Sequence, residues 1–441
     1  MHKSVFSFSP ALLILFSFFL ILVSCGEQPD EDLTVYTNAT IWTGTGETPL
    51  ENAALLVSDG KVVQVMQMDD ADFPRRAASV DLEGRYVIPG LINAHAHVGV
   101  ADGLIGGVDA HNTDNVIRQL RLYARYGITT VVSLGDEPIH AFLVRDNIDQ
   151  AENGMARIFL AGDVLNPSSA GDAADEVAER IERNPDWSKI RVDDGLGTRD
   201  KMSPEVYSAV IEASHSHGVP LAAHIVTLED AKGVLQSGAD LIAHSVRNEP
   251  VDDDFIDMML ERNVCLTPTL TREVSTYIYA ERPPFFDDPF FTREVAPAII
   301  ENLQLPRVQE LFKGESADFY RNALPLAERN MMDLHEAGVR IAMGTDSGPP
   351  ARFQGYFEHM EMEMMEAAGM SPLDVLTSAT RFAAECTFID DELGTLEPGK
   401  QADFVVLDQN PLQSIRNLRS IHAVYIGGNA VNLTPLNRGD R

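Results

Sequence analysis

Val87-Ile88-Pro89-Gly90-Leu91-Ile92-Asn93-Ala94-His95-Ala96-His97 is the stretch on which the fold turns. It is a largely apolar run, interrupted by Pro89-Gly90 and Asn93, and it ends in two histidines one residue apart. Such a run predicts a buried strand. In a strand, residues i and i+2 point to the same face, so His95 and His97 can both grip one ion. His215-Ser216-His217 has the same spacing but closes a predicted helix over 203–217, where i and i+2 diverge by about 200°. Those two histidines are expected at a helix end and on the surface.

Outward from this stretch, strand-like and helix-like segments alternate. Strands are expected at 87–95, 128–133, 156–161, 187–191, 220–224, 239–244, 264–268 and 339–346, with helices such as 113–126, 203–217 and 251–262 between them. Eight βα repeats over about three hundred residues predict a (β/α)8 TIM barrel, whose active site lies at the C-terminal ends of the strands. Those ends carry His95 and His97 on strand one, Lys189 on strand four, His224 on strand five, His244 on strand six and Asp346 on strand eight. A single strand histidine is an ordinary hydrogen-bonded core residue. Four histidines, a lysine and an aspartate at five strand ends of one barrel are a candidate metal centre.

The two flanks read differently. Short β-like runs fill 33–79 and return in 402–407 and 422–428, which predicts a small β-sandwich built from both chain ends, 25–88 plus 388–441, around a barrel at 89–387. Residues 1–24 have a basic start and a long apolar run, as a secretory signal does. They end at Leu22-Val23-Ser24-Cys25, which resembles the bacterial lipoprotein box, with a plain signal or a membrane anchor as the alternative. The resemblance implies lipidation at Cys25. With Gly26 following, it implies an outer-membrane location facing the periplasm, the membrane being touched only through that anchor.

The chain has 441 residues, of which 44% are apolar, enough for a large core. Its 67 acidic against 34 basic side chains leave a net charge of −33, which repels phosphate backbones and excludes nucleic acid as a partner. Three scattered cysteines are too few for a disulfide framework or a cysteine metal cage, so a metal is expected on histidine and carboxylate.

The opening stretch, with Gly344-Thr345-Asp346 and the run 394–403, resembles the metal-dependent amidohydrolase superfamily. Asp186-Trp187-Ser188-Lys189-Ile190 resembles its branch of imidazolonepropionase-like proteins and Xaa-Pro dipeptidases. The resemblance implies two divalent cations of the Zn²⁺ type. His95, His97 and Asp346 would hold one, His224 and His244 the other, with Lys189 between them as a carboxylated lysine. Two such cations lower the pKa of a bound water towards about 7 and hold hydroxide ready to attack a carbonyl, with Asp346 as general acid and base. The implied substrate is a small amide, a dipeptide or an N-acyl amino acid. A cyclic amide or lactam, and a ligand-binding envelope lipoprotein without turnover, are the alternatives.

Arg191 lies two places after Lys189 on the same strand. It is expected to clamp a substrate carboxylate or to pair with Asp193 or Asp194. The long aromatic segment 271–291 is expected to form a lid, to pack on the barrel, or to make a subunit contact in a homo-oligomer. The resemblance implies a tyrosine from this segment near the substrate, either Tyr277 or Tyr279.

Overall fold

The computed structural model describes residues 33–70, 73 and 77–435; the expected signal and Cys25 lie outside the described residues. Both chain ends enter one eight-stranded sheet. Its order runs Asn429–Ala430, Ile421–Ile426, Phe404–Leu407, Tyr86–Pro89, Thr34–Ile41, Leu50–Ser58 and Lys61–Gln67, with Ala78–Asp81 also paired to Thr34–Ile41. Alternation along the strands gives both faces an apolar surface. Tyr36, Leu55, Val57 and Phe404 point one way, and Val35, Ala54 and Leu56 the other. Phe404 and Tyr425 stack at 4.4 Å, with the edge of Tyr36 5.0 Å away.

The opening stretch crosses from this sheet into the barrel. Tyr86–Pro89 pairs antiparallel with Phe404–Leu407, and Leu91–Ala96 becomes the first barrel strand. Gly90 makes the crossing possible, since a Cβ there would meet Thr129 Oγ1 at 2.0 Å. Its amide donates to Asp403 O at 2.8 Å. Arg157, which opens the third barrel strand, donates to both carboxylate oxygens of Asp403 at 2.8 and 3.1 Å and so ties barrel to sheet.

Seven barrel strands form two parallel sheets. Leu91–Ala96, Ile128–Ser133 and Arg157–Leu160 make one; Ser188–Arg191, Leu221–His224, Leu241–Ala243 and Cys265–Thr267 make the other. Single bonds rather than a continuous ladder join them. Leu165 N donates to Lys189 O at 2.8 Å, and segment 340–347, which overlaps the expected eighth strand at 339–346, lies between the seventh and the first. There Ala342 N donates to Leu266 O at 2.9 Å, and Ala94 N to Met343 O at 2.8 Å. The outer helices begin where the capping residues direct. Asn112 accepts from Asn115 N to start Thr113–Arg125, and Asp252 accepts from Phe255 N to start Asp253–Arg262.

The aromatic segment after the seventh strand packs on the barrel. Tyr279, Phe285, Phe286 and Phe291 are buried against Phe353, Tyr356 and Phe357 in edge and stacked contacts. The cysteines correct the sequence reading, because Cys265 of the seventh strand is bonded to Cys386, which ends the helix Arg381–Cys386. Two cysteines 121 residues apart carry no pairing signal in sequence; only the barrel brings their Cα atoms to 5.8 Å. The bond closes a long loop, so Cys386→Ser is expected to lower the unfolding free energy by about 2–4 kcal/mol. Urea unfolding without reductant measures this, and an unchanged midpoint would show that the bond adds no stability.

Candidate active site

The six residues expected at strand ends line one cavity of 360 Å³ at the C-terminal mouth of the barrel. His95 and His97 project together, as the strand period requires, and their Nε2 atoms approach Asp346 Oδ1 at 3.8 and 2.7 Å. One ligand atom from each of these three residues lies within 4.8 Å of the others. Lys189 Nζ is 3.2 Å from His95 Nε2. The His244 ring is 4.8 Å from that of His95 and 4.1 Å from that of His224.

The donor set fits a metal. His97 Nδ1 donates to Gly135 O at 2.7 Å, which leaves the Nε2 of a neutral ring as a lone pair aimed at a carboxylate oxygen. Two acceptors at 2.7 Å need a proton or a cation between them. His244 Nδ1 meets Thr269 Oγ1 at 2.6 Å, and His95 Nδ1 meets Thr267 Oγ1 at 3.4 Å, so outer partners fix three of the four rings. Burial, reinforced by the Lys189 charge, holds His95 well below the usual histidine range. Burial and neighbouring cations do the same to His224 and His244, and a neutral imidazole is the form that ligates. Burial also lowers His97, but the Asp346 carboxylate outweighs it and raises the group. Asp346 is held well below the carboxylate range; burial opposes this, and Arg352 and His97 overcome it.

Two of these residues sit on strained backbone, with φ of 76° at His244 and 56° at Asp346. Non-glycine residues in this region cost energy and collect at functional sites. The strain turns each side chain inward at the point where its strand ends.

Three buried glutamates brace the site, and none was visible in the sequence. Glu137 accepts from Ser133 Oγ at 2.6 Å and from the amides of Gly135 and Gly162 at 2.7 Å each, holding the turn whose carbonyl orients His97. Glu358 Oε1 accepts from Asn93 Nδ2, Thr345 Oγ1 and Ser347 Oγ at 2.7, 2.8 and 2.5 Å. Glu361 accepts from Leu270 N, Thr271 N and Thr271 Oγ1 at 2.7 Å each, and burial pushes its carboxyl up to about 8. Glu358 and Glu361 share the helix Tyr356–Ala368, which carries four glutamates. The signal within it is the i, i+3 spacing of Glu358 and Glu361 on the face that also carries Met362 and Met365.

Arg191 lines the cavity half-buried, with Asp136 Oδ2 4.0 Å away. The expected partner Asp193 is occupied elsewhere, by Arg199 at 3.3 Å and His224 Nε2 at 3.3 Å. Arg352 and Arg272 also line the cavity, and sequence reasoning missed both: Arg352 Nη1 donates to Asp346 Oδ2 at 2.6 Å, and Arg272 Nε lies 3.9 Å from the same oxygen. Tyr277 and Tyr279 are not among the lining residues. Tyr279 is fully buried and donates to Ala351 O at 2.6 Å, and Tyr277 lies under the guanidinium of Arg321. His215 pairs with Asp240 at 2.8 Å and His217 ends its helix, both on the surface as expected.

Known proteins resemble the chain along most of its length. An ochratoxinase of Aspergillus niger is 23% identical over 460 residues, covering 92% of this chain and 86% of that protein. A protein of Mycobacterium tuberculosis is 28% identical over 208 residues, 45% of this chain, and the match spans about half, 54%, of that relative's length. The crystal structure of a Xaa-Pro dipeptidase with bound methionine in its active site superimposes with a TM-score of 0.74 over 90% of this chain and 99% of that one, at 21% identity, a likeness of fold. The family model of the Amidohydrolase family matches residues 86–431, from the strand that leads into the barrel to the strand that closes the terminal sheet, and the chain belongs to that metal-dependent family.

Proposed function

We propose that the chain is a binuclear metal-dependent hydrolase of an amide C–N bond, acting on a dipeptide or N-acyl amino acid. The observation that carries this is the convergence of His95, His97, Lys189, His224, His244 and Asp346 on one cavity. His95, His97 and Asp346 would hold one cation and His224 and His244 the other, with Lys189 between. Zn²⁺ suits this nitrogen and oxygen donor set. Two such cations would polarise the scissile carbonyl and make water nucleophilic at neutral pH.

Lys189 supports the binuclear reading. It is 2% exposed, and burial lowers its amine to about 7, so much of it is neutral near neutral pH. A neutral amine is the form that adds to CO₂: the nitrogen forms a bond to carbon, a C–O π bond opens onto oxygen, one N–H proton leaves to solvent, and the amine becomes an anionic carbamate that would help hold the two cations. Asp346 starts ionised because Arg352 holds it so. As a carboxylate at the cation site it would take the proton of the attacking water and pass it to the departing nitrogen.

The chain is read as lipid-anchored through Cys25 in a bacterial envelope, facing the periplasm. The Cys265–Cys386 bond supports this, because such bonds persist in oxidising compartments.

Purified protein supplied with bicarbonate and Zn²⁺ is expected to hold two metal equivalents by elemental analysis, and Lys189→Ala to hold one. Two equivalents in the variant would remove Lys189 from the bridge. Asp346→Asn should keep most of the metal while turnover of N-acyl amino acids falls by about three orders of magnitude or more; near-normal turnover would take Asp346 out of the proton path. Cys25→Ser should move the protein from the membrane fraction to the soluble periplasmic fraction, and continued membrane association would end the lipid-anchor reading.

A further inference from the structure

The cavity carries more positive charge than one substrate carboxylate needs. Arg191, Arg199, Arg272 and Arg352 all line it, against the carboxylates of Asp136 and Asp346, in a chain whose net charge is −33. The four arginines form two pairs. Arg191 ends the fourth barrel strand and Arg199 lies on the loop that follows it. Arg272 sits in the helix after the seventh strand, and Arg352 follows the eighth segment. In a ring of eight staves the fourth faces the eighth, which sets Arg191 across the mouth from Arg352, and Arg272 joins Arg352 at Asp346 Oδ2, 3.9 and 2.6 Å away respectively.

Both pairs keep donors to spare. The Arg191 guanidinium makes no hydrogen bond among the described residues, and Asp136 is 4.0 Å away. Arg272 is tied by Nη1 to Glu273 at 3.1 Å and by Nη2 to the Tyr320 hydroxyl at 3.1 Å, yet its buried Nε has no partner. Arg352 donates through Nη1 to Asp346 and through Nε to Ser275 Oγ at 3.1 Å. Asp346 divides its oxygens accordingly, with Oδ1 towards the histidines and Oδ2 towards the two arginines. A substrate with one carboxylate would leave the spare donors of the other pair unused, and a second anion would fill them with charge-assisted hydrogen bonds.

We propose that the substrate carries an anionic group on each side of the scissile amide, one held by Arg191 and Arg199 and the other by Arg272 and Arg352. The class is an N-acyl amino acid whose acyl chain itself ends in a carboxylate, or an acidic dipeptide. This rests on the hydrolase reading for the amide, but not for the two anions, which a binding experiment reads without turnover.

Calorimetric titration of the Zn²⁺-loaded protein with adipate and with hexanoate compares two ligands of equal length that differ by one carboxylate. Adipate is expected to bind at least about tenfold more tightly, the scale of one charge-assisted hydrogen-bonded contact. Arg191→Met and Arg272→Met should each bring the ratio close to one. Equal affinities in the wild type, or a ratio that neither variant changes, would overturn the proposal, since carboxylates held by the metals alone would behave that way. If Arg272→Met fails to fold, Arg191→Met at its half-exposed position decides the question. In turnover, N-succinyl-L-alanine should exceed both N-butanoyl-L-alanine and N-succinyl-L-alaninamide in kcat/KM by a similar factor. Selective adipate binding without cleavage of any of the three would end the hydrolase reading and leave the two-anion site standing.

Discussion

One carboxylate oxygen holds together the part of the barrel that the chain's own ladder leaves open. Segment 340–347 lacks continuous strand pairing, yet it must present Asp346 to histidines on the first strand. Glu358 Oε1, fully buried, accepts from Asn93 on that strand and from Thr345 and Ser347 on either side of Asp346. Asn93 in turn accepts from the His95 amide at 3.0 Å, and Ser347 O accepts from the His97 amide at 2.7 Å. Burying a carboxyl group is expensive unless hydrogen bonds offset it, and here the residues that supply those of Oε1 flank the ligands, while Oε2 has no partner among the described residues. The cost of burial thus becomes geometric precision at the metal centre.

Most of the scaffold was legible in the sequence, for a physical reason. Seven of the eight runs that read as strands form strands, most of them rich in apolar residues because parallel strands are covered on both faces. The His95-x-His97 and His215-x-His217 pairs were separable because a strand and a helix send i and i+2 in different directions. The eighth run was legible as a stave but not as an irregular one. Its backbone leaves the β region at Asp346 with φ of 56°, and no residue type announces that at an aspartate.

What stayed hidden depends on tertiary approach. Cys265 and Cys386 look unrelated along the chain, and Glu358 and Glu361 look like solvent-facing acids of a helix. The family resemblance implies a tyrosine of the aromatic loop, Tyr277 or Tyr279, near a substrate, and Tyr279 is instead enclosed. The same aromatic neighbours are the reason it is buried, since Phe285, Phe286 and Phe353 surround it. Arg352 was unreadable because its meaning lies in the carboxylate six residues earlier, reached only after a turn through Gly348 and Pro349. The strong negative charge of the chain concealed the cationic lining of the cavity that fits a metal.

The shared sheet of the two chain ends sets an order of events during synthesis. Tyr86–Pro89, from which the first barrel strand continues, has Phe404–Leu407 as one neighbour, more than three hundred residues downstream. Until the last strands emerge, one edge of that strand is bare, and unpaired edges invite association with other chains. Contacts so distant in sequence also close slowly. The histidines can therefore line up for metal only once the whole chain is available, so the same interleaving that anchors the barrel makes its site one of the last features to form.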